Sequence, residues 1–138
     1  MKAYVDSSVV LRIIFGEPNP LQMPKQLEYT LASEILKIEC FRSIDRMRHA
    51  LRLADEDVAE RSALLHQAIR TIRFVKLADE IAERASQAFP TTIKTLDAIH
   101  LATAIHWQQN ESISVTFLTH DEQLGRSARA MGFEVLGC

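Results

Sequence analysis

At 138 residues, 47% apolar and 25% charged, the chain is long enough for one domain with a real core and ordinary in composition for a soluble globular protein. Its formal net charge of −2 does not advertise a nucleic-acid-binding surface, and no apolar run approaches the roughly 20 residues of a membrane-spanning helix. Met1-Lys2 leads straight into an apolar strand rather than a secretory leader, so the expectation is a cytoplasmic protein without a membrane partner.

Residues 2–5 read as a short buried strand that stops at Asp6. Residues 9–15 read as a helix with Ser7 or Ser8 near its cap, and Gly16-Glu17-Pro18-Asn19-Pro20 ends it. Pro24 suits the first turn of a short helix reaching about Glu28, and residues 29–32 form a weak second strand. Ser33 caps a long helix to about Leu53, with Leu36, Cys40, Ile44, Met47 and Leu51 at helical spacing on one face. A further helix starts at Asp55, with Val58, Leu64, Leu65 and Ile69 turned inward. Residues 71–75 alternate as a third strand, and a helix over 79–88 stops before Pro90. Thr95 caps a helix that is apolar nearly all round from Ala98 to Ile105, which places it against a sheet. Residues 113–118 are the fourth strand, 121–131 a last helix closed by Gly132, and 133–136 the fifth strand. This alternation predicts an α/β fold: one three-layer α/β/α domain over residues 1–138, with a central, mainly parallel sheet of about five strands. Cys40 and Cys138 make neither a disulfide framework nor a zinc spacing. Cys40 reads as a small core residue.

Four acids interrupt this apolar pattern. Asp6 follows Ala3-Tyr4-Val5, Glu39 breaks the apolar face of the long helix, Asp97 opens the buried helix, and Asp121 follows the fourth strand. A carboxylate withdrawn from water without a partner costs several kcal/mol or shifts its pKa until it is neutral. In open parallel sheets ligands bind outside the carboxyl ends of the strands. Asp6 and Asp121 lie at two such ends, and if the first and fourth strands are neighbours all four acids converge on one edge. Singly, each has a plain structural role: Asp6 as a cap, Asp97 facing a helix dipole, Glu39 pairing with Arg42, Asp121 in a first turn. Together they repel one another and require positive charge. Their oxygens suit Mg²⁺ or Mn²⁺ rather than zinc. Two such ions about 3.5–4 Å apart clamp a phosphodiester, and Ser7 and Thr119 supply hydroxyls that orient water or a carboxylate. Arg42 and Arg46 share roughly the helical face of Glu39, where they would meet substrate phosphates or form local ion pairs. His100 reads as a hydrogen-bonded packing residue, and Thr119 with Glu122 as a capping box.

Four segments carry a family resemblance: Tyr4-Val5-Asp6-Ser7-Ser8, Ser33-Glu34-Ile35-Leu36-Lys37-Ile38-Glu39-Cys40-Phe41-Arg42, Leu96-Asp97-Ala98-Ile99-His100-Leu101-Ala102-Thr103-Ala104 and Leu118-Thr119-His120-Asp121-Glu122-Gln123-Leu124. In order and spacing, over nearly the whole length, the chain resembles the PIN-domain nucleases, and most closely the VapC-type toxins of toxin–antitoxin pairs. The resemblance implies that Asp6, Glu39, Asp97 and Asp121 bind Mg²⁺ or Mn²⁺ and that metal-activated water cleaves RNA. It also implies a homodimer and a small antitoxin that inserts a segment near the active site. Ser7 matches the usual Ser or Thr after the first Asp. The proline-rich segment 17–24 and His120 depart from the pattern without removing an acid. The expectation is a divalent-metal-dependent endoribonuclease, the toxin of a toxin–antitoxin pair. In it Asp6, Asp97 and Glu39 hold the main ion, and Asp121 serves a second ion or the attacking water. Two rivals stay open: a PIN-fold RNA-processing nuclease without an antitoxin, and a non-catalytic domain that docks RNA or protein through bound metal. A phosphate-accepting receiver-type domain fits poorly, because the best strand-end lysine, Lys76, precedes Asp97 instead of following it.

Overall fold

The computed structural model describes residues 1–138. Its elements run β1 (Lys2–Val5), α1 (Ser7–Ile14), β2 (Tyr29–Ser33), α2 (Ile35–Ala50), α3 (Asp55–Arg70), β3 (Ile72–Val75), α4 (Asp79–Ala85), α5 (Thr95–Glu111), β4 (Thr116–Leu118), α6 (Glu122–Ala130) and β5 (Val135–Leu136). The strands form one sheet in the order β3-β2-β1-β4-β5. Every pairing is parallel, as expected when helices separate successive strands.

Strand periodicity divides the core into two layers. Successive side chains point to opposite faces. Ala3, Val5, Ala32 and Leu118 therefore meet Val9, Val10, Ile14, Leu36, Cys40, Ile44 and Leu65 from α1, α2 and α3. Their neighbours Tyr4, Leu31 and Phe117 meet Leu101, Ala104, Ile105, Leu124 and Ala128 from α5 and α6. The result is the three-layer α/β/α arrangement, with β1 at its centre and α4 packed on α5. Each fully buried Leu or Phe contributes roughly 1.5–3 kcal/mol relative to exposure.

Several boundaries differ from the sequence expectation. The short helix over 24–28 is absent: residues 15–28 form a connection whose Leu21 and Leu27 pack on the first core layer. Pro18, Pro20 and Pro24 remove donors there, and so short a segment cannot nucleate a helix by itself. Asn19 (φ 57°) and Gly16 (φ 62°) bend the chain through left-handed conformations. The helix α2 stops at Ala50, with Arg52 at φ 50° just beyond it. Leu51, expected inward, is 59% exposed, and Leu64 on α3 is also exposed. Gly132, at φ 93°, follows α6 as expected. No helix is long and apolar enough to cross a membrane.

Candidate active site

Because β1 and β4 pair directly, with Val5 opposite Leu118, their carboxyl ends bring Asp6 beside the segment 119–121. The Asp6 amide donates to the Leu118 carbonyl at 3.2 Å, so the acid is placed by the sheet itself. Asp6 is 2% exposed. One oxygen accepts the Ser8 hydroxyl at 2.5 Å and the Val9 amide at 3.4 Å; the other accepts the Thr119 hydroxyl at 2.5 Å. Both hydroxyls also accept a backbone N–H, Ser8 from His120 at 2.9 Å and Thr119 from Asp121 at 3.0 Å. The strand ends are thus stitched together through the Asp6 carboxylate.

Asp6, not Ser7 or Ser8, is therefore the N-cap of α1. Asp121 likewise caps α6, accepting the Leu124 amide at 2.9 Å. The expected Thr119–Glu122 capping box does not form, because the Thr119 hydroxyl is committed to Asp6 and Asp121. Thr95 makes no side-chain cap bond either, and Lys94 occupies the N-cap of α5.

Glu39 enters from α2. Its Oε2 accepts the Ser7 hydroxyl at 3.1 Å and its Oε1 contacts His100 Nε2 at 2.5 Å. Asp97 enters from the first turn of α5. Loss of water pushes its carboxyl up from 3.8 to about 6; repulsion from Asp121, Asp6 and Glu39 adds to the rise, and His100 opposes it. Asp97 is thus the point at which the charges of all four acids are felt together. Burial also raises Asp6, against the pull of His100 and its three hydrogen bonds. Cys40, on the same turn of α2 as Glu39, is pushed up to about 12 by burial, then by Glu39 and Asp6. Its thiol stays protonated and inert, as expected of a core cysteine.

Glu39, Asp97 and Asp121 line a cleft of about 450 Å³ with Lys94, Thr95 and Leu96. A second groove of about 370 Å³ opens on the other side of Glu39 and carries Ser7, Arg42, Arg46 and the apolar Leu11, Ile35, Ile38 and Leu96. Arg42 pairs with Asp45 at 3.2 Å rather than with Glu39, and Arg46 donates to Ser43 at 3.1 Å. A larger cleft, about 610 Å³, lies along residues 85–98 and holds none of the acids. Donor chemistry, not volume, therefore singles out the acidic edge.

The available donors are carboxylate oxygens, the ligand type that suits Mg²⁺ and Mn²⁺. The only buried imidazole, His100, is engaged on both nitrogens. No group of three or more His, Cys, Asp or Glu side chains is gathered closely enough in this structure to hold a metal ion as it stands.

Two participants lie outside the sequence expectation, and a third has a partner that the expectation did not specify. Ser8 lies two residues after Asp6 and bridges it to His120. Tyr4 lies in β1, where an aromatic reads only as core. His100, expected as hydrogen-bonded packing, is buried and hydrogen-bonded, and one of its partners is the candidate acid Glu39. Its spacing of three residues from Asp97 on α5 was the available signal.

A family model described as PIN domain matches residues 3–130. Among solved structures, the chain is similar to VapBC2 from Rickettsia felis bound to a DNA fragment from their promoter, with TM-score 0.65, 12% identity and coverage of 98% of this chain and 97% of that one. It is similar to FitAcB from Neisseria gonorrhoeae, with TM-score 0.62, 19% identity and coverage of 98% and 96%. A toxin–antitoxin complex from Klebsiella pneumoniae matches with TM-score 0.55, 20% identity and coverage of 88% of each chain. No curated protein matches the chain by sequence.

Proposed function

The chain belongs to the PIN domain family, and from that premise we propose that it is a divalent-metal-dependent endoribonuclease, acting as the toxin of a toxin–antitoxin pair. The observation that carries this reading is the gathering of acids at one sheet edge: Asp6 at the end of β1, paired with β4, and Glu39, Asp97 and Asp121 lining one cleft, where Asp97 is raised first by loss of water and then by repulsion from Asp121, Asp6 and Glu39. Such mutual repulsion is relieved by a cation.

In this reading a single domain over residues 1–138 holds Mg²⁺ or Mn²⁺ through Asp6, Glu39 and Asp97, with Asp121 serving a second ion or the attacking water. A bound divalent cation supplies Lewis-acid polarisation of the phosphodiester and lowers the pKa of coordinated water. The chain's own residues do the positioning. Ser8 and Thr119 hold both oxygens of Asp6, and Ser7 holds Glu39. Ser7 Oγ is committed as a donor to that carboxylate, so water rather than a side chain is the nucleophile. Arg42 and Arg46, at the groove beside Glu39, are suited to phosphate contacts along the RNA.

An antitoxin partner is supported by the similarity to a toxin–antitoxin complex and to VapBC2. A homodimer and a cytoplasmic location complete the proposal. The direct test is cleavage of total cellular RNA in Mg²⁺ or Mn²⁺, with fragment ends mapped. Wild type should cut, chelator should abolish cutting, and Asp6→Asn should lose at least about 100-fold in rate, on the scale of several kcal/mol of transition-state stabilisation. Unchanged cleavage by Asp6→Asn would remove the active-site assignment. Co-purification with a small protein would separate a toxin from an RNA-processing nuclease.

A further inference from the structure

A buried hydrogen-bonded chain runs from the end of β2 to Glu39. The Ser33 amide donates to the Tyr4 hydroxyl oxygen at 3.0 Å, that hydroxyl meets His100 Nδ1 at 2.7 Å, and His100 Nε2 meets Glu39 Oε1 at 2.5 Å. Ser33 and Tyr4 are 0% exposed and His100 is 1% exposed. An ionised carboxylate only accepts, so His100 Nε2 is the donor to Glu39 whether the ring is neutral or charged. Tyr4, anchored by the Ser33 amide, holds the other ring nitrogen in place. Tyr4 in turn is clamped by stacking on Phe117, ring centroids 5.1 Å apart.

We propose that His100 is a positioning residue for the cation site: held in place by Tyr4, its Nε2 occupies Glu39 Oε1 and leaves Oε2, steadied by Ser7, as the oxygen offered to the metal. This rests on the metal-dependent nuclease reading above. A carboxylate free to rotate presents either oxygen, or both. The Ser33–Tyr4–His100 chain removes that freedom by tying Glu39 to the inner strands β1 and β2. Hydrogen bonds that orient a metal ligand are typically worth 10–100-fold in affinity or activity.

The test uses the whole chain and two readouts besides RNA cleavage. Nitrogen-15 NMR of the imidazole reports the tautomer, and electron paramagnetic resonance of free against bound Mn²⁺ reports affinity. Wild-type His100 should carry a hydrogen on Nε2. His100→Ala should weaken Mn²⁺ binding about 10–100-fold and lower kcat with the RNA KM unchanged. His100→Gln, which keeps an N–H donor near the Nε2 position, should recover most of both, and Tyr4→Phe should weaken Mn²⁺ binding with the ring still present. A wild-type ring bare on Nε2 overturns the proposal, and it does so even if His100→Ala does not fold. A folded His100→Ala that binds Mn²⁺ and cleaves like wild type overturns it too. Failure of the nuclease reading looks different, because wild type itself would then bind no Mn²⁺ and cut no RNA.

Discussion

Asp97 carries the clearest chemical signature of any single residue. Its carboxyl is raised from 3.8 to about 6, first by loss of water and then by its acidic neighbours. A group whose folded pKa lies above its unfolded value favours folding below the unfolded value, and that advantage is lost as pH rises through the folded one. In metal-free buffer above about pH 6 the charged form therefore penalises the fold. Asp97→Asn should then stabilise the protein at pH 7–8 by on the order of 1 kcal/mol after allowance for partial exposure, or a few degrees in Tm. The gain should shrink between pH 6 and 4 and vanish below, where wild type is protonated both folded and unfolded. Thermal melts across that range in chelator check the sign. Equal melting of the two proteins at pH 8 would mean that Asp97 is not held among like charges.

Residue identity was legible for the acids because a carboxylate in an apolar run is costly, and cost is visible in sequence. Their bonding was not. Whether Thr119 caps a helix or binds Asp6 depends on a strand-end pairing between residues more than 100 positions apart. The Tyr4–His100–Glu39 contacts are hidden for the same reason, since a strand tyrosine and a helical histidine each have ample packing roles.

At the level of elements, the parallel sheet followed from strand–helix alternation, and the pairing of β1 with β4 turned two distant acids into neighbours. What escaped was local. The segment 24–28 has a helix-start proline but no length or packing to sustain a helix. The ends of α2 and α4 fall short of expectation: Leu51 carries the apolar spacing of α2 past its last turn, and Pro90 marks only an outer limit for α4, which stops at Ala85. Leu51 and Leu101 make the contrast measurable, one 59% exposed beyond α2 and the other 0% exposed on α5. In urea denaturation Leu101→Ala should cost about 2–5 kcal/mol, whereas Leu51→Ala should stay within about 0.5 kcal/mol. Comparable losses would place Leu51 in a core that the fold does not give it.

Over the whole molecule, a net charge of −2 coexists with Arg42 and Arg46 beside an acidic edge, so RNA would be drawn by local rather than global charge. Replacing both arginines by alanine should raise the KM for RNA several-fold with kcat little changed, and flatten the fall of affinity with salt, since each lost phosphate contact reduces the slope by about 0.7. A variant with wild-type KM and salt dependence would assign these arginines to their partners Asp45 and Ser43 alone. The central claim is that Asp6, Glu39, Asp97 and Asp121 form one cation site. Calorimetric titration of Mn²⁺ into wild type and into Asp6→Asn, Glu39→Gln, Asp97→Asn and Asp121→Asn tests it most directly. Wild type should bind, and each variant should bind at least about tenfold more weakly, a loss of some 1.4 kcal/mol. A wild type that binds no Mn²⁺, or folded variants that bind it as tightly as wild type, would contradict the account.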